Sequence, residues 1–133
     1  MGNLAMILLD THAWVWWISK PSELSRAARH KIGTETRIGV SAISCLEVAT
    51  AVAKGRITLD RDPLLWLEQA LALPKMELLP LTPAVAVKAT QLGNDFPGDP
   101  ADRIIAATSI LESAALITKD SRIREYAAVD TIW

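Results

Sequence analysis

Four acidic residues occur in this 133-residue sequence at points where an apolar strand ends or a helix begins. They lie in the segments ILLD-THAWVWW, SAISCLEVATA, GDPADRIIAAT and ALITKDSRI, and they are Asp10, Glu47, Asp102 and Asp120. A group of carboxylates that cannot neutralise itself needs a cation, and hard oxygen ligands favour Mg²⁺ or Mn²⁺. Metal-dependent chemistry on phosphodiesters is therefore the first hypothesis for this chain.

The elements that would position these acids alternate between short apolar runs and helical patterns. This alternation predicts an α/β fold with a mainly parallel sheet, and right-handed crossovers would place helices on both of its faces. The predicted strands span 6–9, 37–40, 76–81, 115–118 and 129–132. The predicted helices span 11–18, 26–32, 42–54, 63–73, 83–92, 100–112 and 121–126. Glycines at 33, 55 and 93 are expected to end three of these helices.

The predicted order of elements places the acids on one edge of the sheet. Ligands of open parallel sheets bind outside the carboxyl ends of the strands. Asp10 and Asp120 follow the first and fourth strands, and Glu47 and Asp102 lie in the first turns of two helices. If the first strand is central, between the second and the fourth, the four carboxylates meet.

Each acid also has a purely structural explanation. Asp10 and Asp120 would each serve as a helix cap, and Asp102 as a first-turn acid favoured by the helix dipole. Glu47 stands three residues after Ser44, which is the spacing of a capping box. These explanations leave open why all four acids fall on the same edge.

Several neighbouring residues are weaker candidates. Asp99, directly before a proline, is interpreted as a cap alone and is left out of the metal-binding set. His12 is interpreted as a packing or hydrogen-bonding residue. Arg103 is expected to pair with a carboxylate in preference to a phosphate. Thr118 and Ser121 bracket Asp120 and would hydrogen-bond it or a metal-bound water.

Aromatic and basic side chains offer two ways to bind RNA. The tryptophans at 14, 16 and 17 could stack on bases, although a helix this apolar more often places them in a core or an interface. Five basic residues could hold RNA phosphates, with solvated surface charge as the alternative for each: Lys54, Arg56, Lys119, Arg122 and Arg124.

Composition limits the class of protein. A length of 133 residues suits one domain, and 50% hydrophobic with 22% charged residues is ordinary for a globular chain. The net charge of −1 excludes a strongly basic nucleic-acid binder. Cys45 is the single cysteine, so an intrachain disulfide and a cysteine zinc cluster are excluded. The apolar run 5–9 is too short for a membrane span or a signal peptide, and a cytoplasmic location without membrane contact is expected.

The segments LLDTHAWVWW, SAISCLEVA, GDPADRIIAATS and LITKDSRI together closely resemble the PIN-domain family, particularly the VapC-type toxin ribonucleases. The resemblance covers essentially the whole chain, in order. It implies a single PIN domain over 1–133, with a Rossmann-like sheet of order 3-2-1-4-5. It also implies an Mg²⁺ or Mn²⁺ site, and endonucleolytic cleavage of RNA by metal-activated water that leaves 3′-hydroxyl and 5′-phosphate ends.

The resemblance assigns roles by motif. Asp10, Glu47, Asp102 and Asp120 match the four acids of the family in order, with Asp10 and Asp102 as the strongest metal ligands. Thr118 matches a hydroxyl that supports the site. The implied partners are RNA, an antitoxin whose C-terminal segment lies along the catalytic groove, and a second copy of the toxin in a homodimer or a larger toxin–antitoxin assembly. The helices over 11–18 and 64–73 would serve such interfaces or the core.

Three rival functions remain at this point. A receiver-type signalling domain would need an aspartate at the end of the third strand, where this chain has Leu79-Pro80-Leu81. A PIN nuclease that acts in ribosomal-RNA processing outside a toxin–antitoxin pair, or that cleaves DNA, would have the same fold and the same acids. A non-catalytic RNA-binding scaffold is disfavoured by the complete set of acids.

Overall fold

A computed structural model describes residues 5–133 and contains a five-stranded sheet of order β3-β2-β1-β4-β5. The strands are β1 (Met6–Leu9), β2 (Arg37–Ser41), β3 (Met76–Leu79), β4 (Ala115–Ile117) and β5 (Thr131–Ile132). Every pairing between neighbouring strands is parallel. The expected fold class and strand order are therefore confirmed.

The helices occur where the sequence predicts them, with some changes at their ends. They are α1 (Thr11–Ser19), α2 (Arg26–Thr34), α3 (Ala42–Ala53), α4 (Pro63–Leu71), α5 (Pro83–Thr90), α6 (Pro100–Glu112) and α7 (Ser121–Arg124). A short 3₁₀ turn, Pro21–Glu23, was not predicted. The predictions for β3, β5, α4, α5 and α7 were each two residues too long at one end, and those for β4 and α3 were one residue too long.

Glycine ends one of the three helices for which it was predicted to do so. Gly55 directly follows the C-cap of α3 and has φ of 70°, in the left-handed region that closes a helix. The predicted stop at Gly93 is wrong, because α5 ends at Thr90 with Gln91 as its C-cap, although Gly93 also has a positive φ, of 90°. The predicted stop at Gly33 is wrong, because α2 continues to Thr34. There the backbone N–H of Glu35 donates to the Lys31 carbonyl, and the two side chains form an ion pair, so the last turn closes without a left-handed residue.

Alternate side chains of β1 supply two cores on opposite faces of the sheet. Ile7 and Leu9 pack on the side of α1 to α4, where the buried Trp14 and Trp66 rings meet edge to face with centroids 5.4 Å apart. Met6 and Leu8 pack on the side of α6 and α7. Burial on both faces explains why β1 is a continuous apolar run without polar alternation, as in other parallel sheets covered by helices on both sides.

The central position of β1 determines where the site forms. Leu9 pairs with Val40 on β2 and with Ile117 on β4, so these three strands end side by side. The segment 91–99 returns the chain to the same edge, where α6 begins. Within residues 5–133 no helix is long and apolar enough to cross a membrane.

Candidate acidic active site

Asp10 lies at the carboxyl end of β1 and caps α1. Its Oδ1 accepts a hydrogen bond of 2.8 Å from the Ala13 backbone N–H, and the residue is only 9% exposed. Burial raises the pKa of Asp10, and hydrogen bonds from Thr118 and from the Ala13 N–H oppose that rise in part. The predicted cap is therefore present, and it points a buried carboxylate at the sheet edge.

Glu47 projects from the second turn of α3 and contacts α1. The Thr11 hydroxyl donates to its carboxylate and also lies 2.9 Å from the Ser44 Oγ. The alternative interpretation of Glu47 as part of a capping box is wrong, because α3 is capped by Ser41, three residues earlier than Ser44. Burial raises the pKa of Glu47, the bond from Thr11 lowers it, and the nearby Asp99 carboxylate raises it again.

Asp102 lies in the first turn of α6, and Asp99 caps the same helix. The Asp99 Oδ1 accepts from the backbone N–H groups of Ala101 at 2.8 Å and of Asp102 at 3.3 Å. Burial, followed by the charges of four neighbouring carboxylates, raises the pKa of Asp102 to about 6. Asp102 therefore experiences most directly the crowding of negative charge at this edge.

Asp120 follows β4 and caps the short helix α7. Its Oδ1 accepts from the backbone N–H groups of Arg122 and Ile123, and its Oδ2 pairs with the Arg122 guanidinium at 3.3 Å. Burial by itself would raise the pKa of Asp120, but these hydrogen bonds outweigh it and the pKa is lowered. The fully buried Thr118 fixes the turn, since its Oγ1 accepts from the Asp120 N–H at 3.1 Å.

A single cleft of about 440 Å³, here called the acidic cleft, brings these side chains together. It is lined by Asp10, Thr11, His12, Trp16, Glu47, Asp99, Asp102, Lys119, Asp120 and Arg122. All four predicted acids line the cleft, and so does Asp99, which sequence reasoning treated only as a cap. Asp99 and Asp102 are three residues apart at the start of α6, and residues at this spacing lie on the same face of a helix. This spacing could have predicted that Asp99 joins the cleft. Ser121 is exposed and is not part of this lining.

The basic residues near the cleft differ in their roles. Lys119 and Arg122 line it, as expected for residues that could contact phosphate. Arg103 points elsewhere, which corrects both of its interpretations. Its guanidinium donates to the carbonyls of four residues at 2.6 to 3.3 Å, namely Ala89, Gly93, Phe96 and Pro97. Arg103 thus holds the segment that leads into the Asp99 cap.

The donor set fits a hard divalent cation. Among residues 5–133, no three acidic, histidine or cysteine side chains stand close enough to form a complete metal-binding group. Even so, five carboxylates share one cleft, and the pKa of Asp102 is raised first by burial and then by repulsion from the other four. Oxygen ligands of this type suit Mg²⁺ or Mn²⁺, which would relieve that repulsion and complete their coordination with water.

An apolar groove of about 540 Å³ adjoins the acidic cleft. Its walls come from α1, α3, the start of α6 and the segment after α3, and include Val15, Leu46, Val48 and Ile57. The groove shares Thr11, His12, Trp16, Glu47 and Asp99 with the cleft. A molecule lying in the groove would therefore reach the acids.

Comparison with known proteins defines the class. The sequence model of the PIN domain matches residues 7–129. The chain is 40% identical over 123 residues to Ribonuclease VapC22 of Mycobacterium tuberculosis, covering 92% of this chain and 93% of that protein. This chain therefore belongs to the PIN-domain family.

Solved structures agree on the fold. VapBC2 from Rickettsia felis, bound to a DNA fragment from its promoter, matches with a TM-score of 0.73 at 17% identity, over 96% of this chain and 97% of that one. FitAcB from Neisseria gonorrhoeae matches with a TM-score of 0.66 at 25% identity, over 96% and 97%. Both matches span nearly the whole chain, so the fold extends over its length.

Proposed function

We propose that this chain is a single PIN domain over 1–133 and acts as a divalent-metal-dependent endoribonuclease, the toxin of a toxin–antitoxin pair. The observation that carries this proposal is the convergence of five carboxylates on one cleft at the carboxyl edge of the sheet. The likeness to a relative named as a ribonuclease supports RNA as the substrate. Receiver-type signalling loses its basis once the chain belongs to the PIN-domain family.

The acidic residues would hold the metal, which is Mg²⁺ or Mn²⁺ in this proposal. Asp10 and Asp102 are the principal ligands, with Glu47 and Asp120 completing the set directly or through water. Bound there, the metal would supply a water of lowered pKa and neutralise charge that develops on the phosphoryl oxygens. No covalent nucleophile from the protein is required.

The remaining residues of the cleft orient the acids and the RNA. Thr11 fixes Glu47, and Thr118 supports both Asp10 and the turn that carries Asp120. Lys119 and Arg122 would contact phosphates on either side of the scissile bond, since both line the cleft. Arg122 already pairs with Asp120, so RNA and that carboxylate would share one guanidinium.

The antitoxin would occupy the apolar groove and extend into the acidic cleft. Three features support this placement: the groove adjoins the acids, Leu46 on its wall is 62% exposed, and a solved structure of similar fold, from Klebsiella pneumoniae, is named a toxin–antitoxin complex. A basic side chain of the antitoxin among the five carboxylates would block both metal and RNA. The complex would form in the cytoplasm, where RNA and the antitoxin are made.

A second copy of the chain would use a different surface. Leu64 and Leu65 on α4 are 65% and 45% exposed, while the next residue, Trp66, is buried. The expected interface role therefore applies to the outer face of α4, and its inner face is core. Light scattering of the purified chain measures this directly, and a monomer both alone and with its antitoxin would contradict the interface.

The nuclease proposal is tested by incubating the purified chain with labelled total RNA and Mg²⁺, and in parallel with EDTA. Cleavage is expected with Mg²⁺ alone. Asp10→Asn and Asp102→Asn should each abolish cleavage with the fold intact, because asparagine keeps the shape and, at Asp10, the capping ability. Asp130→Asn is the matched control, since Asp130 is an exposed acid at the opposite edge, before β5.

Two outcomes would contradict the assignment. Wild-type rates in either active-site variant would remove those residues from the metal site. Cleavage that persists in EDTA, free of contaminating nuclease, would remove the metal from the reaction.

A further inference from the structure

An aromatic and cationic cluster stands at the rim of the acidic cleft. Trp16 is at its centre, with the His12 ring 5.6 Å away at 41° and the Trp133 ring 6.0 Å away at 55°. The Lys119 Nζ lies over the Trp16 ring, 5.8 Å from its centroid. Trp16, His12 and Lys119 all line the cleft beside the acids.

Trp16 differs from the two tryptophans that flank it on α1. Trp14 is fully buried against Trp66, and Trp17 packs on the core of the α1 side without lining the cleft. Trp16 also touches that core, but part of its ring is exposed where the acidic cleft meets the apolar groove. Of these three rings, only that of Trp16 is therefore within reach of a molecule in the cleft.

We propose that Trp16, flanked by His12 and Lys119, is a nucleobase-stacking site that seats one unpaired base of the RNA beside the phosphate to be cleaved. The inference rests on the proposed nuclease function and adds to it a contact between Trp16 and one unpaired base of the RNA. It gives Trp16 a binding role that the acids do not provide.

The electrostatics of the cleft favour this role. Five carboxylates face only two basic side chains there, Lys119 and Arg122, and Arg122 is already paired. Even with one divalent cation bound, as the nuclease proposal requires, the five negative charges of the cleft exceed the four positive ones, so RNA binding gains from a contribution that does not depend on charge. Stacking on an aromatic ring changes affinity by roughly five- to 150-fold per base and tolerates every base, because each has a π face.

Lys119 lies over the Trp16 ring, and a base can displace it. An exposed cation–π contact contributes roughly two- to five-fold to an equilibrium, less than the stacked base that would replace it. Lys119 lies between Thr118 and Asp120 and carries a long flexible side chain. On RNA binding its ammonium would leave the indole for a neighbouring phosphate oxygen, so the base and the phosphate would be bound together.

The test compares Trp16→Leu with Trp17→Leu, both made in the Asp102→Asn chain so that RNA is not cleaved. Both changes remove an indole that packs on the same core, so their effects on folding are matched. Two fluorescently labelled probes are used: a short single-stranded RNA of mixed sequence, and a ribose-phosphate chain of the same length without bases. Affinities come from fluorescence anisotropy, and thermal melting checks that each variant folds.

Trp16→Leu is expected to weaken binding of the RNA about five- to 50-fold relative to Trp17→Leu, since the ring is partly covered. The two variants should bind the base-free chain equally. The Asp102→Asn parent should prefer the RNA over the base-free chain, and Trp16→Leu should remove most of that preference. This last comparison changes the probe rather than the protein, so it holds even if one variant is less stable.

Equal RNA affinities in the two variants would overturn the inference and leave a protein partner as the occupant of the cluster. Equal loss on both probes would overturn it as well, because that result reports charge or folding. A parent chain that binds neither probe would also refute it. Failure of the nuclease proposal is read separately, from wild-type cleavage of total RNA with Mg²⁺.

Discussion

Replacing Asp102 by asparagine should stabilise the metal-free chain while abolishing cleavage. The pKa of Asp102 is raised from 3.8 to about 6, so its ionised form is disfavoured in the folded state by roughly 3 kcal/mol at about 1.4 kcal/mol per pKa unit. Asp102 is partly exposed, so solvent screening reduces this cost. Loss of its favourable contact with the α6 dipole, about 0.5 kcal/mol, reduces the gain further. A net gain of about 1–2 kcal/mol is expected.

The sign follows from proton binding. Because the folded-state pKa lies above the unfolded value, the folded chain binds more protons between pH 4 and pH 6, and its stability falls as the pH rises through that window. The free-energy cost of the ionised Asp102 is absent below about pH 4 and complete above about pH 7. Asparagine does not titrate, so the two chains should differ most at alkaline pH and converge near pH 4.

Thermal melting in EDTA measures the effect. At pH 8 the Asp102→Asn chain should melt about 4–8 °C above the wild type, with Asp130→Asn as the control that keeps the wild-type value. Added Mg²⁺ should then raise the melting temperature of the wild type more than that of Asp102→Asn. An Asp102→Asn chain that melts at or below the wild type at pH 8 in EDTA would refute the crowding of carboxylates described above.

Three further changes test other parts of the molecule. Arg103→Lys should lower the free energy of unfolding, measured in urea, by about 2–3 kcal/mol, because lysine cannot donate to four separate carbonyls. Amide hydrogen exchange in 93–98 should become faster. Unchanged exchange would show that Arg103 does not hold this segment. Gly39→Ala should lower the free energy of unfolding by about 1–3 kcal/mol, since an added Cβ would lie 2.8 Å from the Leu79 Cδ1. The midpoint of urea unfolding measures this loss. A wild-type midpoint would mean that the Leu79 side chain moves aside without cost. Thr11→Val should weaken Mg²⁺ binding, because Glu47 loses its hydroxyl donor. The measurement is the increase in melting temperature that Mg²⁺ produces, which should be smaller in this variant. Thr36→Val, on an exposed hydroxyl far from the cleft, is the control and should keep the wild-type increase.

The positions of the acids at strand ends and helix starts could be predicted from the sequence, because short residue patterns mark both kinds of boundary. Short apolar runs mark the strands, and Asp-Pro or Thr-Pro pairs mark three helix starts that the structure confirms. The order of the strands came from the family resemblance, since alternation of elements alone does not say which strand is central. That order decides whether the acids meet.

Side-chain direction was the part that sequence could not supply. Arg103 follows Asp102 directly, yet it turns away from the cleft because the carbonyls of 89–97 are gathered where only the folded chain places them. Glu47 and Ser44 have capping-box spacing, but α3 starts three residues earlier than that spacing requires. Trp14 and Trp16 differ by two positions, and only packing against α4 shows which of them is core.

Three acids of the cleft, Asp10, Asp99 and Asp120, are also the N-caps of α1, α6 and α7. Folding alone would therefore keep a capping residue at these positions even in a related chain without nuclease activity. Glu47 and Asp102 cap nothing, and Asp102 is expected to lower the stability of the metal-free chain, because its pKa is raised. Selection for stability would remove Asp102 first, so its retention in a lineage of related chains is the clearer record of selection for activity.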